Sequence, residues 1–357
     1  MKICFIADAS HPNVQNWVNY FANVLGHDIY LISFNKSKRD LGKVNILYIK
    51  FLCKSMKFRY IFAIREIKKV VRKISPDILI GYRPASYGFL AACSGFHPLV
   101  IALQGQSIVF PSNSIIKKIF AKYAVKKADL INAWGEHMTK DLMSCRVPKD
   151  KIEIFPRGVR IPEAVSHRHT NDVFTLISTR GLNTDYNFDQ IIFALPIVIK
   201  KIKNIKYLIA GDGEDKERLE TLVKKLQLEE CVEFLGKVDY GVVMELVKSS
   251  DVYVSAVPTD GVSSSLLEAM ASGTFPIVID NIANREWISD NINGFLFPKD
   301  EVEILAEKII NAACMPEMRK ITAETNFQIV KKRANWDRNM KKMEKRYLEL
   351  RSMFSRK

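Results

Sequence analysis

Val252-Tyr253-Val254-Ser255, Asp260-Gly261-Val262-Ser263-Ser264-Ser265-Leu266-Leu267-Glu268-Ala269-Met270-Ala271-Ser272-Gly273 and Pro276-Ile277-Val278-Ile279 follow one another as strand, loop with helix, and strand. The apolar runs at either end are short enough to be buried strands, and Ser264–Ser272 has helical spacing between them. A strand–helix–strand unit of this kind builds a parallel sheet covered by helices. The same stretch places two carboxylates, Asp260 and Glu268, eight positions apart around a helix start. Backbone N–H groups at a helix start, aided by the macrodipole, favour an anion. Acids on either side of such a site suit a ligand with hydroxyls at both ends and a diphosphate between.

Outward from this unit the alternation continues in both directions. Before it, Val173–Ser178, Lys206–Ala210 and Val232–Leu235 read as strands. Asp189–Lys201, Asp215–Leu226 and Tyr240–Ser249 read as helices. Further upstream lies a first set. Its strands are Lys2–Ala7, Asp28–Ser33, Val44–Tyr48, Asp77–Gly81, Leu99–Leu103 and Leu130–Ala133, and its helices are Asn16–Leu25, Arg59–Ser75, Ala85–Cys93 and Ser114–Lys127. Three helical stretches close the chain: Val302–Ala313, Lys320–Arg333 and Trp336–Met353. The expected fold class is α/β, with two Rossmann-like domains facing a cleft and a C-terminal helix crossing back to the first domain. The expected boundaries are 1–165, 166–334 and 335–357. Ligands of such sheets bind at the carboxyl ends of strands, which is where Asp260 and Glu268 lie.

Composition narrows the class. The 357 residues are enough for two cores. The six cysteines are scattered without a CxxC pair, which argues against a zinc site or disulfide framework and fits a reducing cytoplasm. Met1–Ala7 is too short for the apolar part of an export signal and meets Asp8 at once. No stretch reaches the roughly 18 apolar residues of a membrane span. Charge is uneven: residues 1–165 hold 26 Lys and Arg against 11 Asp and Glu, while residues 166–357 hold 28 of each. A basic first half suits an anionic membrane, a phosphorylated substrate or nucleic acid, and no nucleic-acid motif accompanies it.

The chain resembles family 4 of the retaining glycosyltransferases, which share the two-domain GT-B fold. The resemblance rests on Asp260-Gly261 followed by Leu267-Glu268-Ala269-Met270-Ala271-Ser272-Gly273-Thr274-Phe275-Pro276, which matches the family's Glu-x7-Glu block. Supporting blocks occur in order. They are Leu208–Gly213 (a glycine turn), Val232–Gly236 (a base-side strand and loop), Asn293–Phe297 (a late turn), Gly26-His27-Asp28, and Ile154–Val159. The glycine turn alone is a weak signal; the Asp260–Pro276 block is specific.

The resemblance implies a hexosyltransferase-like enzyme that moves sugar from a nucleotide-diphosphate-sugar, with retention and without metal or cofactor. Asp260, Arg180 and Glu268 are then the catalytic set. Glu268 would bind the ribose hydroxyls and Asp260 the sugar. Arg180 would stabilise charge growing on the leaving diphosphate. The donor set would include Gly261, Ser263, Ser264, Ser265, Leu266, Tyr186, Gly211, Gly236 and Val238, with the N–H groups of Ser264, Ser265 and Leu266 on the diphosphate and the Gly236–Val238 loop at the base. Gly211 and Gly213 read equally well as a tight turn. Several positions depart from the family. Asp260 stands for a glutamate, Tyr186 for a lysine, and Gln104-Gly105-Gln106 for a pair containing histidine. His11 and Gln104 are the acceptor-side candidates, and His11 reads equally well as a plain loop residue.

Two basic helices bear on the acceptor. Arg59–Ser75 carries Tyr60, Ala63, Ile64, Ile67, Val70, Val71 and Ile74 on one stripe and Arg65, Lys68, Lys69, Arg72 and Lys73 off it. Ser114–Lys127 pairs Ile115, Ile116, Ile119, Phe120 and Tyr123 with Lys117, Lys118, Lys122, Lys126 and Lys127. Core packing with a solvated basic face is one reading. An anionic membrane or a polyprenyl-phosphate-linked acceptor is the other, which makes the protein cytoplasmic and peripheral at the inner face of the membrane. The expected activity is transfer to a glycan or lipid-linked acceptor in surface polysaccharide or glycoconjugate synthesis. A nucleotide-sugar epimerase and a non-catalytic GT-B binding subunit are the alternatives.

Overall fold

A computed structural model describes residues 1–49, 56–103, 114–156, 158–165 and 173–355. The chain divides into two compact units. One is Met1–Phe155 with Met340–Lys357, and the other is Pro156–Asn339. The division falls before Pro156, earlier than the expected break after 165, and the C-terminal segment joins the first unit from Met340 rather than from 335.

The first unit holds β1 (Lys2–Ile6), α1 (Pro12–Asn19), β2 (Asp28–Ser33), β3 (Asn45–Tyr48), α2 (Met56–Ile74), β4 (Ile78–Tyr82), α3 (Gly88–Cys93), β5 (Leu99–Leu103), α4 (Ile115–Lys127), β6 (Leu130–Ala133), α5 (His137–Ser144) and β7 (Ile152–Ile154). Its strands pair in parallel in the order β3-β2-β1-β4-β5-β6-β7. β4 and β5 are buried along their whole length, as their unbroken apolar sequences require of strands covered on both faces. The order reverses between β1 and β4, so the chain leaves these neighbours in opposite directions.

The second unit holds β8 (Phe174–Ser178), α6 (Phe188–Val198), β9 (Ile205–Ile209), α7 (Lys216–Lys225), β10 (Val232–Phe234), α8 (Tyr240–Ser249), β11 (Val252–Ser255), α9 (Ser264–Ser272), β12 (Phe275–Ile279), β13 (Phe295–Phe297), α10 (Val302–Cys314) and α11 (Pro316–Arg333). Its parallel order is β10-β9-β8-β11-β12-β13, with the reversal between β8 and β11. The core beneath it includes Leu176, Ile191, Leu195, Tyr207, Ile209, Val254, Ile277 and Phe297.

The last helix, α12 (Trp336–Ser355), begins in the second unit and runs on in the first. Within the first unit Tyr347 is fully buried beside Phe21, at 6.0 Å between ring centroids. Glu344 reaches His27 Nε2 at 2.8 Å, Arg346 reaches Glu153 at 2.9 Å and Arg351 reaches Asp77 at 3.0 Å. These buried and paired groups anchor the segment on the sheet of β1.

Three local expectations change. The first helix starts at Pro12 rather than Asn16, because His11 caps it and proline suits its first turn. Phe295–Phe297, expected as a turn, adds the edge strand β13. The two basic helices behave differently. α2 buries Ala63, Ile67, Val71 and Ile74 and exposes Arg65, Lys68, Lys69, Arg72 and Lys73, as its stripe predicts; the Tyr60 side chain lies outside the described residues. α4 buries Ala121, Ala124 and Val125 instead, and Ile115, Ile116, Ile119 and Tyr123 are exposed. Small residues let it lie close to α3 and the turn before it, and Phe120 stacks on Phe89 at 3.8 Å. The apolar stripe of α4 is therefore on the outside.

Candidate functional site

The residues singled out in the second half come together at the carboxyl ends of β8 and β11, where the strand order reverses. This is the position at which open parallel sheets bind ligands. Ser178, the last residue of β8, fastens the two strands: its hydroxyl donates to the Val254 carbonyl at 2.6 Å and lies 2.9 Å from Tyr207 Oη. Arg180 follows two residues later, and a shallow recess beside it is lined by Tyr186, Phe188, Ser255 and Val257.

Arg180 is held from several sides. Its Nη1 donates to Asp260 Oδ2 at 2.5 Å and to Ser263 Oγ at 3.0 Å. Its guanidinium carbon lies 4.8 Å from the centre of the Tyr186 ring. Burial opposes the charge, but Asp260, Tyr253 and Tyr186 outweigh it and hold the Arg180 pKa above its ordinary value. Tyr186, expected at the diphosphate, thus faces the guanidinium, in cation–π contact. Asp260 uses its other oxygen to accept the Gly261 N–H at 2.8 Å, so both carboxylate oxygens are engaged.

Ser263 is the cap of α9. Its Oγ accepts the Leu266 N–H at 3.3 Å and lies 3.2 Å from Ser265 Oγ, which in turn meets Tyr253 Oη at 2.8 Å. This corrects one expectation: the Leu266 N–H belongs to the helix cap, and Ser264 and Ser265 remain as the candidate anion donors of this turn. Glu268 lies one turn further along α9 and accepts a hydrogen bond from Tyr240 Oη at 3.2 Å. Tyr240 opens α8, just beyond the loop that carries Gly236 and Val238. Gly236 adopts φ +65, so the left-handed turn there favours glycine. Tyr240 had no signal in the sequence beyond following that loop, because its partner is fixed only by the packing of α8 on α9.

The glycine turn acts through contact. A Cβ on Gly211 would fall 2.0 Å from the Arg180 carbonyl oxygen, and one on Gly213 would fall 2.2 Å from that of Leu182. Between them, the Asp212 carbonyl accepts the Leu182 N–H at 3.1 Å, and Leu182 O accepts the Asp215 N–H at 3.0 Å. The turn is therefore a backbone buttress against the segment that carries Arg180.

In the first unit, His11 and Arg83 meet at the carboxyl ends of β1 and β4, with His11 Nε2 at 3.3 Å from Arg83 Nη2. Gln104 lies outside the described residues, as does Arg157. Among the described residues no group of three or more His, Cys, Asp and Glu stands together as a metal site, and no helix is long and apolar enough to cross a membrane.

Known proteins agree with this arrangement. A family model described as glycosyl transferase 4-like matches residues 2–133, and one described as glycosyl transferases group 1 matches residues 161–328. An uncharacterized glycosyltransferase of Methanocaldococcus jannaschii is 29% identical over 64% of this chain and 60% of its own length, so the match spans less than two thirds of that relative. The alpha-monoglucosyldiacylglycerol synthase of Acholeplasma laidlawii is 23% identical over 98% of this chain and 97% of its own. In fold, the Anabaena protein HepE, solved in complex with UDP, superposes with a TM-score of 0.81 at 15% identity, covering 98% of this chain and 100% of that one. With two Rossmann-like units and both family models in register, the chain belongs to the group 1 glycosyltransferases of the GT-B fold.

Proposed function

We propose that this glycosyltransferase moves a sugar, with retention, from a nucleotide-diphosphate-sugar to a glycan or polyprenyl-phosphate-linked acceptor. The observation that carries the donor half is Arg180, held by Asp260 and Ser263 at the strand reversal of the second unit, with Glu268 one turn away. Arg180 and the first turn of α9 receive the diphosphate; Glu268 receives the ribose hydroxyls. The acceptor oxygen bonds to the anomeric carbon as the bond from that carbon to the phosphate oxygen breaks. The acceptor proton passes to the departing phosphate on the same face. Arg180 supplies the positive charge that this leaving group needs, and no metal is required in this reading. UDP-sugars are the first donors to test, since HepE was solved with UDP and with UDP-glucose.

The first unit takes the acceptor in this reading. The exposed Ile115, Ile116, Ile119 and Tyr123 of α4, among Lys117, Lys118, Lys122, Lys126 and Lys127, suit an anionic membrane surface. The name of the Acholeplasma relative, a glucosyldiacylglycerol synthase, is in keeping with a lipid acceptor. The reading is tested with purified protein, a panel of nucleotide-sugars and membrane extracts as acceptor source. Glu268→Ala is expected to lose transfer and to weaken nucleotide binding. Transfer at the wild-type rate by the folded variant refutes the assignment.

A further inference from the structure

Tyr253 stands in β11 between Val252 and Val254, which belong to the core of the second unit. Side chains alternate along a strand, so the Tyr253 ring lies on the opposite face, and it is fully buried. A buried phenol costs stability unless its hydroxyl is bonded. The partners of this hydroxyl belong to the ligand end of the sheet. Tyr253 Oη meets Ser265 Oγ at 2.8 Å, and Ser255 and Ser263 are within hydrogen-bonding reach of it. Ser263 caps α9, Ser265 lies in its first turn, and Ser255 lines the recess beside Arg180. Burial pushes the Tyr253 phenol above its ordinary value, against the pull of Arg180 and the three serine hydroxyls, so the group keeps its proton.

The hydrogens around Ser263 can be counted. Its Oγ accepts from Arg180 Nη1 at 3.0 Å and from the Leu266 N–H at 3.3 Å, and a serine oxygen has two lone pairs. Both are used, so the Ser263 hydroxyl hydrogen turns away from Arg180, to Ser265 Oγ at 3.2 Å or to Tyr253 Oη. On the other side, Arg180 Nη1 has two hydrogens. One goes to Asp260 Oδ2 at 2.5 Å and the other to Ser263. The plane of the guanidinium is thus set by one carboxylate and one serine, and that serine is backed by a buried chain of hydroxyls ending at the phenol.

We propose that Tyr253 is a positioning residue for the leaving diphosphate: its Oη accepts from Ser265, directs the Ser263 oxygen to Arg180 and so fixes the guanidinium where the anion arrives. Without the phenol oxygen, the Ser265 hydrogen turns to Ser263 Oγ and takes the lone pair that Arg180 uses. Arg180 Nη1 is then held by Asp260 alone. Hydrogen bonds in a buried chain polarise one another, so a loss at one end is felt at the other. The identity of the anion rests on the functional reading above; the hydroxyl chain rests on the geometry alone.

Binding of inorganic pyrophosphate tests the role without turnover. Pyrophosphate is titrated by calorimetry into the full-length wild type, Tyr253→Phe, Ser263→Ala and the double variant, and a thermal unfolding midpoint is taken for each. Tyr253→Phe removes one oxygen and keeps the ring, and it is expected to weaken pyrophosphate about five- to tenfold. Ser263→Ala cuts the chain at Arg180 and is expected to weaken it at least as much. Adding Tyr253→Phe to Ser263→Ala is expected to cost less than about twofold more, because the link is already broken. A tyrosine with a purely structural role lowers the midpoint and leaves the affinity alone. Wild-type pyrophosphate affinity in folded Tyr253→Phe, losses that multiply in the double variant, or no pyrophosphate binding to the wild type overturns the proposal. If Ser263→Ala does not fold, the comparison of Tyr253→Phe with the wild type decides alone. Should pyrophosphate behave as expected while no nucleotide-sugar is turned over, the functional reading fails and the positioning role of Tyr253 stands.

Discussion

Gly211→Ala isolates the link between a turn and a cation. The added Cβ lies 2.0 Å from the Arg180 carbonyl oxygen and 2.9 Å from its carbonyl carbon. Ordinary carbon–oxygen contacts need roughly 3.3 Å, so the two backbones must part by about 1 Å. Neither can yield alone, since the Asp212 carbonyl is bonded to Leu182 N at 3.1 Å and Gly213 lies against the Leu182 carbonyl on the other side. Overpacking of this size costs about 1–3 kcal/mol of stability. It also shifts Arg180 away from Asp260 and Ser263, and about 1 Å of misplacement at a positioned group costs on the order of 100-fold in rate. The expected result is a folded protein with a lowered urea midpoint, kcat reduced about 30- to 100-fold and UDP binding weakened. Gly241→Ala is the control. A Cβ there meets nothing within 4 Å, and alanine in α8 is expected to add about 0.5–1 kcal/mol of stability. Wild-type kcat in a folded Gly211→Ala protein refutes the buttress.

Three further outcomes are expected. Tyr240→Phe removes the hydrogen bond to Glu268 and is expected to weaken UDP about three- to tenfold while leaving inorganic pyrophosphate unaffected; equal losses for both ligands contradict the ribose assignment of Glu268. The double substitution Ile115→Ser and Ile119→Ser is expected to reduce sedimentation with phosphatidylglycerol vesicles at least about tenfold, and added salt to reduce it in the wild type; no sedimentation of the wild type at low salt ends the membrane reading. His27 titrates below its usual 6.5, through burial and the nearby N-terminal ammonium, against the opposing pull of Glu344. With the folded value depressed, its contribution to stability is present above pH 6.5 and is lost as pH falls through the folded value. His27→Gln is expected to flatten that part of a urea-midpoint profile, and an unchanged slope assigns it to other groups.

The sequence made the α/β alternation legible because buried parallel strands are apolar along their whole length, as in Ile78–Tyr82 and Phe275–Ile279. The block from Asp260 to Pro276 was legible because it is local: one loop and one helix start hold most of its polar groups. What escaped was nonlocal. The Glu268–Tyr240 bond depends on how α8 packs on α9. The function of Gly211 depends on a carbonyl from another loop. The α4 stripe was ambiguous because an amphipathic pattern gives a periodicity but not which side faces the sheet; three small buried residues decided it. His11 caps a helix, a task more often given to serine, threonine, aspartate or asparagine, so the true start of α1 was hidden.

The short acid at position 260 changes meaning in the same way. As a sequence feature Asp260 is a glutamate shortened by one methylene, with less reach toward a sugar. In the fold its two oxygens are on Arg180 Nη1 and Gly261 N, so a short side chain fits the distance between cation and turn. This has an electrostatic consequence. The pair is neutral as a unit, so an incoming diphosphate is attracted by the remaining guanidinium donors and the start of α9, with the Asp260 charge opposing it. The opposing charge also keeps Arg180 ionised and fixed in the absence of ligand, which lowers the cost of ordering it on binding. Asp260→Asn keeps the size and one acceptor while removing the charge. It is expected to tighten UDP and to slow transfer, because Arg180 is then attracted more strongly to the diphosphate but held less firmly where the leaving group forms. Weaker UDP binding together with slower transfer shows instead that holding Arg180 matters more than the repulsion.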